Sequence, residues 1–213
     1  MPVLPNAGGL DIQDDQAANL MPVEHRNVIA VKGYQGWAGE AKVALKALLK
    51  ISDALANLEV VVFSASYATR RLAKSLNRKT CLTIECNPKN SLSHSEVQNI
   101  FSRSLIYVGI SKTDGISTSL LEAMSQGAIP VQSGTSCANE WLEGAGVIVK
   151  GFEVEEVASS ILTAIELAKN PRNAVQNVQI VLQKASSSHI HAMVGNYYDL
   201  IAQGGRQSTE RGT

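Results

Sequence analysis

The sequence predicts an α/β fold, a parallel sheet of about six strands with helices on both faces. Three observations lead there. Short runs rich in β-branched residues alternate with longer stretches whose apolar residues recur at helical spacing. The strand runs are apolar throughout, not at every second position, so both faces of the sheet must be covered. Each strand is followed by a helix, which is the connection a parallel pair needs.

The elements follow in order. "VIAVKG" (28 to 33) is a buried-strand run and "GEAKVALKALLKISDAL" (39 to 55) an amphipathic helix. "LEVVVFSA" (58 to 65) and "TCLTIEC" (80 to 86) are strands, each followed by a helix, "YATRRLAKSLNRK" (67 to 79) and "SHSEVQNIFSRS" (93 to 104). "LIYVGIS" (105 to 111) leads through a turn into a fourth helix. "AIPVQS" (128 to 133), a short "NEWLEG" helix (139 to 144) and "GVIVKG" (146 to 151) complete the sheet. Three helical segments close the chain, near 153 to 169, 171 to 186 and 189 to 203, with Pro171 suited to a first turn. Residues 1 to 27 carry Pro, Gly, Asn and Asp without a sustained apolar period and read as an arm or linker that builds no core. The domain proper is expected over 28 to 188, a terminal helix over 189 to 203, and a disordered polar tail over 204 to 213.

Composition bounds the function. The chain has 213 residues, 45% of them hydrophobic, enough for a sizeable core. Nineteen basic residues balance nineteen acidic ones, so no net field draws nucleic acid, and a charged ligand must be caught by local arrangement. The three cysteines, Cys81, Cys86 and Cys137, lack metal-ligand spacing and suit a reducing, cytoplasmic setting. No apolar run is long enough to cross a bilayer, and the N-terminus lacks the order of a signal peptide.

Two loops qualify as a ligand site, because parallel sheets bind ligands where strand ends enter helix N-termini. In "VKGYQGWAGEAK" (31 to 42), Lys32 ends a strand, and Gly33, Gly36 and Gly39 lead into a helix. Glycines admit a phosphate to the backbone, and the helix start and the lysine supply positive charge. The same glycines also read as a plain turn. In "TDGISTSLLEAMSQGAIPV" (113 to 131), Asp114 and Glu122 flank a Gly- and hydroxyl-rich turn. Carboxylates beside helix-start N–H groups suit a sugar hydroxyl array with its attached phosphate. The structural alternative is a capping box from Ser119 to Glu122, a turn at Asp114 and Gly115, and a helix end at Gly127. From the residues alone both readings stand.

"DGISTSLLEAMSQGAIPVQS...CANEW" resembles the signature of glycosyltransferase family four, in which an acidic residue, seven others and a glutamate precede an "LLEAM" helix. Asp114 and Glu122 fall at that spacing, with Asp in place of the more usual Glu. "KGYQGW" is similar to the first strand-loop of the same domain, most closely in a bacterial subgroup acting on surface polysaccharides. The resemblance covers about residues 28 to 150.

It implies a GT-B architecture of two Rossmann-like domains facing a cleft, of which this chain would be the second, donor-binding one. The implied reaction is retaining and metal-independent, uses no cofactor, and transfers a sugar from a UDP-, GDP- or dTDP-sugar to a glycan or lipid-linked acceptor. The implied partner is an N-terminal domain that supplies the acceptor site. The implied location is cytoplasmic, with peripheral association at the inner face of the cell membrane through the rest of the enzyme. Asp114 would contact the transferred sugar and Glu122 the nucleotide ribose. Backbone amides of Gly115, Ile116 and Ser117, together with Gly33, would face sugar and phosphates, and Lys32 would neutralise the departing diphosphate. A second basic residue of the family falls at Glu40 here, with Lys42 close after it. "GNYYDLIAQ" (195 to 203) would cross to the other domain. A non-catalytic interaction module and a nucleotide-sugar epimerase of the same architecture are the rival readings.

Other features read as structural. "DIQDD" (11 to 15) is a solvated acidic turn; His189 and His191 fall on different faces of a helix; Cys137 is an inert thiol. Trp37 and Trp141 are open between core and cleft.

Overall fold

The computed structural model describes residues 8 to 80, 82 to 115, 117 to 135, 137 to 142 and 146 to 210. Ile116 and Cys81 therefore lie outside the described residues. Six strands, β1 (Val28–Lys32), β2 (Glu59–Ala65), β3 (Ile84–Pro88), β4 (Ser104–Gly109), β5 (Ile129–Ser133) and β6 (Val147–Val149), form one sheet in the order β3-β2-β1-β4-β5-β6. Every pair is parallel. The expected α/β sheet is thus observed, with the strand order of a Rossmann-like domain.

The strands are apolar on both sides because both sides are buried. Ile29 and Val31 of β1 enter one core, and Val28 and Ala30 enter the other. The first core is closed by α1 (Ala41–Lys50), α2 (Tyr67–Leu76) and α6 (Val154–Ala168). The second is closed by α3 (His94–Ser102), α4 (Thr118–Ser125), the short α5 (Ala138–Trp141) and α7 (Pro171–Ala185). Phe63, Phe101 and Tyr107 pack there, with Phe63 and Phe101 edge-to-face at 5.2 Å.

Local chemistry fixes the ends. Ser93 and Glu96 form a reciprocal capping box on α3, and Ser66 caps α2 by accepting from Thr69 N–H. Gly127 ends α4 at φ +78°, where Ala128 N–H reaches Ala123 O at 3.0 Å and Gly127 N–H reaches Met124 O at 2.9 Å. Pro171 opens α7 as expected. β3 begins four residues later than the sequence pattern indicates. The Asn77 side chain bonds both Ile84 N–H and Ile84 C=O, which leaves the residues before it in a connection.

Within the expected arm, described residues from Leu10 onward pack on the domain. Leu10 bridges to Ser186, accepting from Ser187 N–H at 2.8 Å and donating to Ala185 O at 2.7 Å. Leu10 and Ile12 pack on the second core and Val23 on the first. Arg26 is buried and reaches Met21 O and Ser104 O. Isolated apolar contacts of this kind leave no mark in the hydrophobic period of the chain. At the other end, α8 (Ser187–Glu210) runs past the expected limit at 203, and 211 to 213 lie outside the described residues.

Candidate functional site

The order β3-β2-β1-β4-β5-β6 reverses between β1 and β4, and the loops after these two strands, bridged to each other at Gly39 and Ser111, line a crevice there. Lys32 ends β1 and Asp114 follows β4. The Lys32 ammonium lies 2.8 Å from the Asp114 carboxylate and 3.0 Å from the Ser117 hydroxyl. Both charged groups stay about a quarter exposed, 26% and 25%, so a ligand can reach them. Hydroxyls continue the chain inward: Ser117 to Ser119 at 3.1 Å, and Ser119 to the fully buried Tyr107 at 3.1 Å.

This cluster has electrostatic consequences. Burial works to lower the Lys32 pKa but is outweighed, chiefly by Tyr107 and the hydrogen bond and charge of Asp114, so the net direction is upward. Burial raises the Tyr107 pKa in turn, so the phenol is neutral at neutral pH and Asp114 is the partner that counts. Lys32 is therefore a fixed cation.

The capping alternative does not hold at α4. Its N-cap, Ser117, makes no side-chain cap hydrogen bond. Ser119 bonds Ser117 and Tyr107, and the Glu122 carboxylate turns to His94 Nε2 at 3.0 Å. Both ends of the supposed box point elsewhere, which leaves the start of α4 open towards the crevice with its positive dipole end.

Two cavities meet at Lys32 and Tyr34. The larger, about 900 Å³, is lined by Trp37, Lys112, Asp114, Gly115 and Thr135 among others. The smaller, about 340 Å³, holds Phe63, Ser64, Leu92, His94 and Glu122. Both sizes fit small-molecule sites. Ser64 adopts φ +51°, a left-handed conformation rare for a non-glycine residue, beside the smaller cavity.

The loop after β1 is a pinned turn. Gly36 N–H bonds Gly39 O, Lys112 N–H bonds Ala38 O at 2.6 Å, and Glu40 N–H bonds Ile110 O at 2.9 Å. This leaves Trp37 at the tip, 79% exposed, on the wall of the larger cavity, whereas Trp141 is core at 7%. Glu40 takes hydrogen bonds from the Lys112 ammonium and the Gln35 amide, with its pKa lowered by Lys112 first.

The sequence-derived residues divide accordingly. Lys32, Asp114, Gly115 and Ser117 are brought together, and Glu122 stands in the adjoining cavity. Gly33 serves packing: its N–H bonds Phe63 O, and a Cβ there would lie 2.7 Å from Ala65 Cα. Gly115 differs, since among the described residues, its chain neighbours aside, no atom lies within 4 Å of where its Cβ would stand. Lys42 lines a groove between α1 and α2, apart from the cavities of Lys32. Lys112, His94 and Tyr107 escaped the sequence reading. Lys112, two positions before Asp114, brings a cation to Glu40, where charge was expected from the loop itself. Among the described residues no group of three or more His, Cys, Asp or Glu could hold a metal.

No protein-family model matches the chain, and no curated protein matches it. Solved structures do. A glycosyltransferase from Rickettsia africae is similar at TM-score 0.68 and 15% identity, over 90% of this chain and 56% of that one. Anabaena HepE in complex with UDP and glucose gives 0.64 and 16%, over 90% and 55%. The catalytic domain of cholesterol-α-glucosyltransferase from Helicobacter pylori gives 0.62 and 17%, over 74% of this chain and 98% of that one. The fold is that of one domain of GT-B glycosyltransferases, and the chain spans about half the length of the first two relatives.

Proposed function

We propose that this chain is the donor-binding half of a retaining, metal-independent glycosyltransferase that takes its sugar from a nucleotide diphosphate. The observation that carries the reading is the Lys32–Asp114–Ser117 cluster at the reversal of strand order, in front of an α4 N-terminus that spends neither Ser119 nor Glu122 on capping. The pair of cavities supports it: the diphosphate lies by Lys32, the transferred sugar towards Asp114 and Trp37, and the nucleoside towards Glu122 and Leu92.

The chemistry follows from charge. Cleavage of the glycosyl–phosphate bond leaves negative charge on the diphosphate, and Lys32 with the first-turn N–H groups of α4 is fixed in advance to receive it. Asp114 releases Lys32 and accepts from sugar hydroxyls. A hydrogen bond from His94 orients Glu122 for the ribose hydroxyls. The acceptor, a glycan or lipid-linked saccharide of the bacterial cell surface, is held by a second domain at the cytoplasmic face of the membrane. Tyr198, Leu200 and Ile201 are exposed on α8 and suit a crossing to that domain.

A thermal-shift titration with UDP, GDP, dTDP and ADP tests the reading, because a ligand that binds the native state raises its apparent stability. Stabilisation by one nucleotide, lost in Lys32→Ala and Glu122→Ala, is the expected result. No shift at millimolar nucleotide would sink it in favour of a non-catalytic interaction module, in which Lys32 and Asp114 serve each other.

A further inference from the structure

Helices α1 and α2 lie side by side over the first core. Residues 41 to 50 and 67 to 79 contain eight of the nineteen Lys and Arg residues and no Asp or Glu. A chain of zero net charge thus carries eight cations and no carboxylate on these two segments. Lys50 is paired with Glu155, but among the described residues no carboxylate lies within ion-pair distance of Lys46, Arg70 or Arg71.

Between the two helices runs an open groove of about 470 Å³, lined by Lys42, Lys46, Tyr67, Arg71 and Ser75. Tyr67 is 68% exposed. The Arg70 and Arg71 guanidinium carbons stand 5.8 and 6.0 Å from its ring centre. That large ring is neither buried nor needed by the core, and it sits among cations that hold it upright. Lys42 and Tyr67 belong to the first turns of α1 and α2, which start where β1 and β2 end. The basic face therefore meets the same edge of the sheet as the Lys32–Asp114 crevice.

We propose that this α1–α2 face docks on a bilayer surface rich in anionic phospholipid. The cations are spread along two parallel helices over a length of about 15 Å, which matches a field of phosphates. A tyrosine with an apolar body and a polar tip is suited to the headgroup level. Surface cations near an anionic leaflet act additively and are weakened by salt. The position of the face adds a reason, which rests on the donor-site reading: docked here, the chain holds its crevice next to the membrane that carries a lipid-linked acceptor.

Co-sedimentation of the full chain with phosphatidylcholine vesicles, with and without phosphatidylglycerol, tests the docking. The expected result is binding to the anionic vesicles alone, decreasing as salt is raised. Joint replacement Lys46→Gln, Arg70→Gln and Arg71→Gln lowers vesicle affinity about fivefold per residue, and Tyr67→Ala produces a smaller loss. The melting temperature of the triple variant, and its shift with whichever of the four nucleotides stabilises the wild type, stay at wild-type values, which shows that it folds. Absence of sedimentation, equal binding to neutral vesicles, or undiminished binding by the triple variant overturns the docking. So does capture of an RNA oligonucleotide or polyglutamate without capture of vesicles. Vesicle binding without any nucleotide shift removes the donor reading and leaves the docking, and a nucleotide shift without vesicle binding does the reverse.

Discussion

Lys32 and Asp114 stand 82 positions apart in the chain and meet at 2.8 Å across the crevice between β1 and β4. The pair holds both groups in place without ligand, at the cost of a contact that ligand must exchange. Lys32→Ala should lower nucleotide affinity by about tenfold to a hundredfold, the range for a lost hydrogen bond to a charged group. Asp114→Asn should leave affinity for the bare nucleotide within a few-fold and reduce the further gain given by its sugar. Calorimetry with nucleotide and nucleotide-sugar on each variant separates the two roles.

Glu122 and Ser93 offer a control for the rejected capping box. Ser93→Ala breaks a real one and should cost about 1 kcal/mol in urea unfolding. Glu122→Ala removes a carboxylate that caps nothing and should cost less than about 0.5 kcal/mol, while abolishing the nucleotide shift. An equal loss of stability in the two variants would return α4 to a merely capped helix.

Two glycines should respond in opposite ways. Gly33→Ala places a Cβ 2.7 Å from Ala65 Cα and should destabilise by about 1–3 kcal/mol. Gly115→Ala meets open space and should leave stability within about 0.5 kcal/mol. If Gly115 lets the backbone approach sugar and phosphate, the same variant weakens ligand binding, a combination that denaturation and calorimetry on one sample detect.

Acid should loosen the loop after β1. The Lys112 hydrogen bond, ahead of the opposing effect of burial and the further help of Gln35, holds Glu40 below its usual value of 4.5. A depressed carboxylate contributes stability that is present above the unfolded pKa and is lost as pH falls through the folded one. Lys112→Met should therefore be less stable than wild type at neutral pH, and the gap should close as pH drops below 4.5. Paired denaturation curves across that window check the sign.

Trp37 should report on ligand directly. With Trp37 exposed at 79% and Trp141 buried at 7%, iodide should quench Trp37 almost exclusively. Trp37→Phe should remove the quenchable emission, and a nucleotide-sugar occupying the larger cavity should shield it.

Much of the fold could be read in advance because burial on both faces writes itself into the strands, as in "VIAVKG" and "LIYVGIS", and α7 declares its start with Pro171. β3 slipped because one side chain, Asn77, ends the turn before it, and a period search averages over such single contacts. At the site, Lys32, Asp114 and Ser117 were legible because strand ends and helix starts bring them together in any parallel sheet of this order. Lys112 and His94 were not, since their importance lies in partners, Glu40 and Glu122, that only the folded chain supplies. The α1–α2 cations were hidden by a net charge of zero, a sum that erases distribution.

The placement of β1 beside β4 sets Val28 near Ser104, so the crevice exists only after a loop of about 75 residues has closed. Neighbouring strands can pair earlier at lower entropic cost, which makes assembly of the ligand cradle a late event on the folding path. Nucleotide should then leave the refolding rate nearly unchanged and slow unfolding instead, so that the occupied site acts as a kinetic latch on the finished protein.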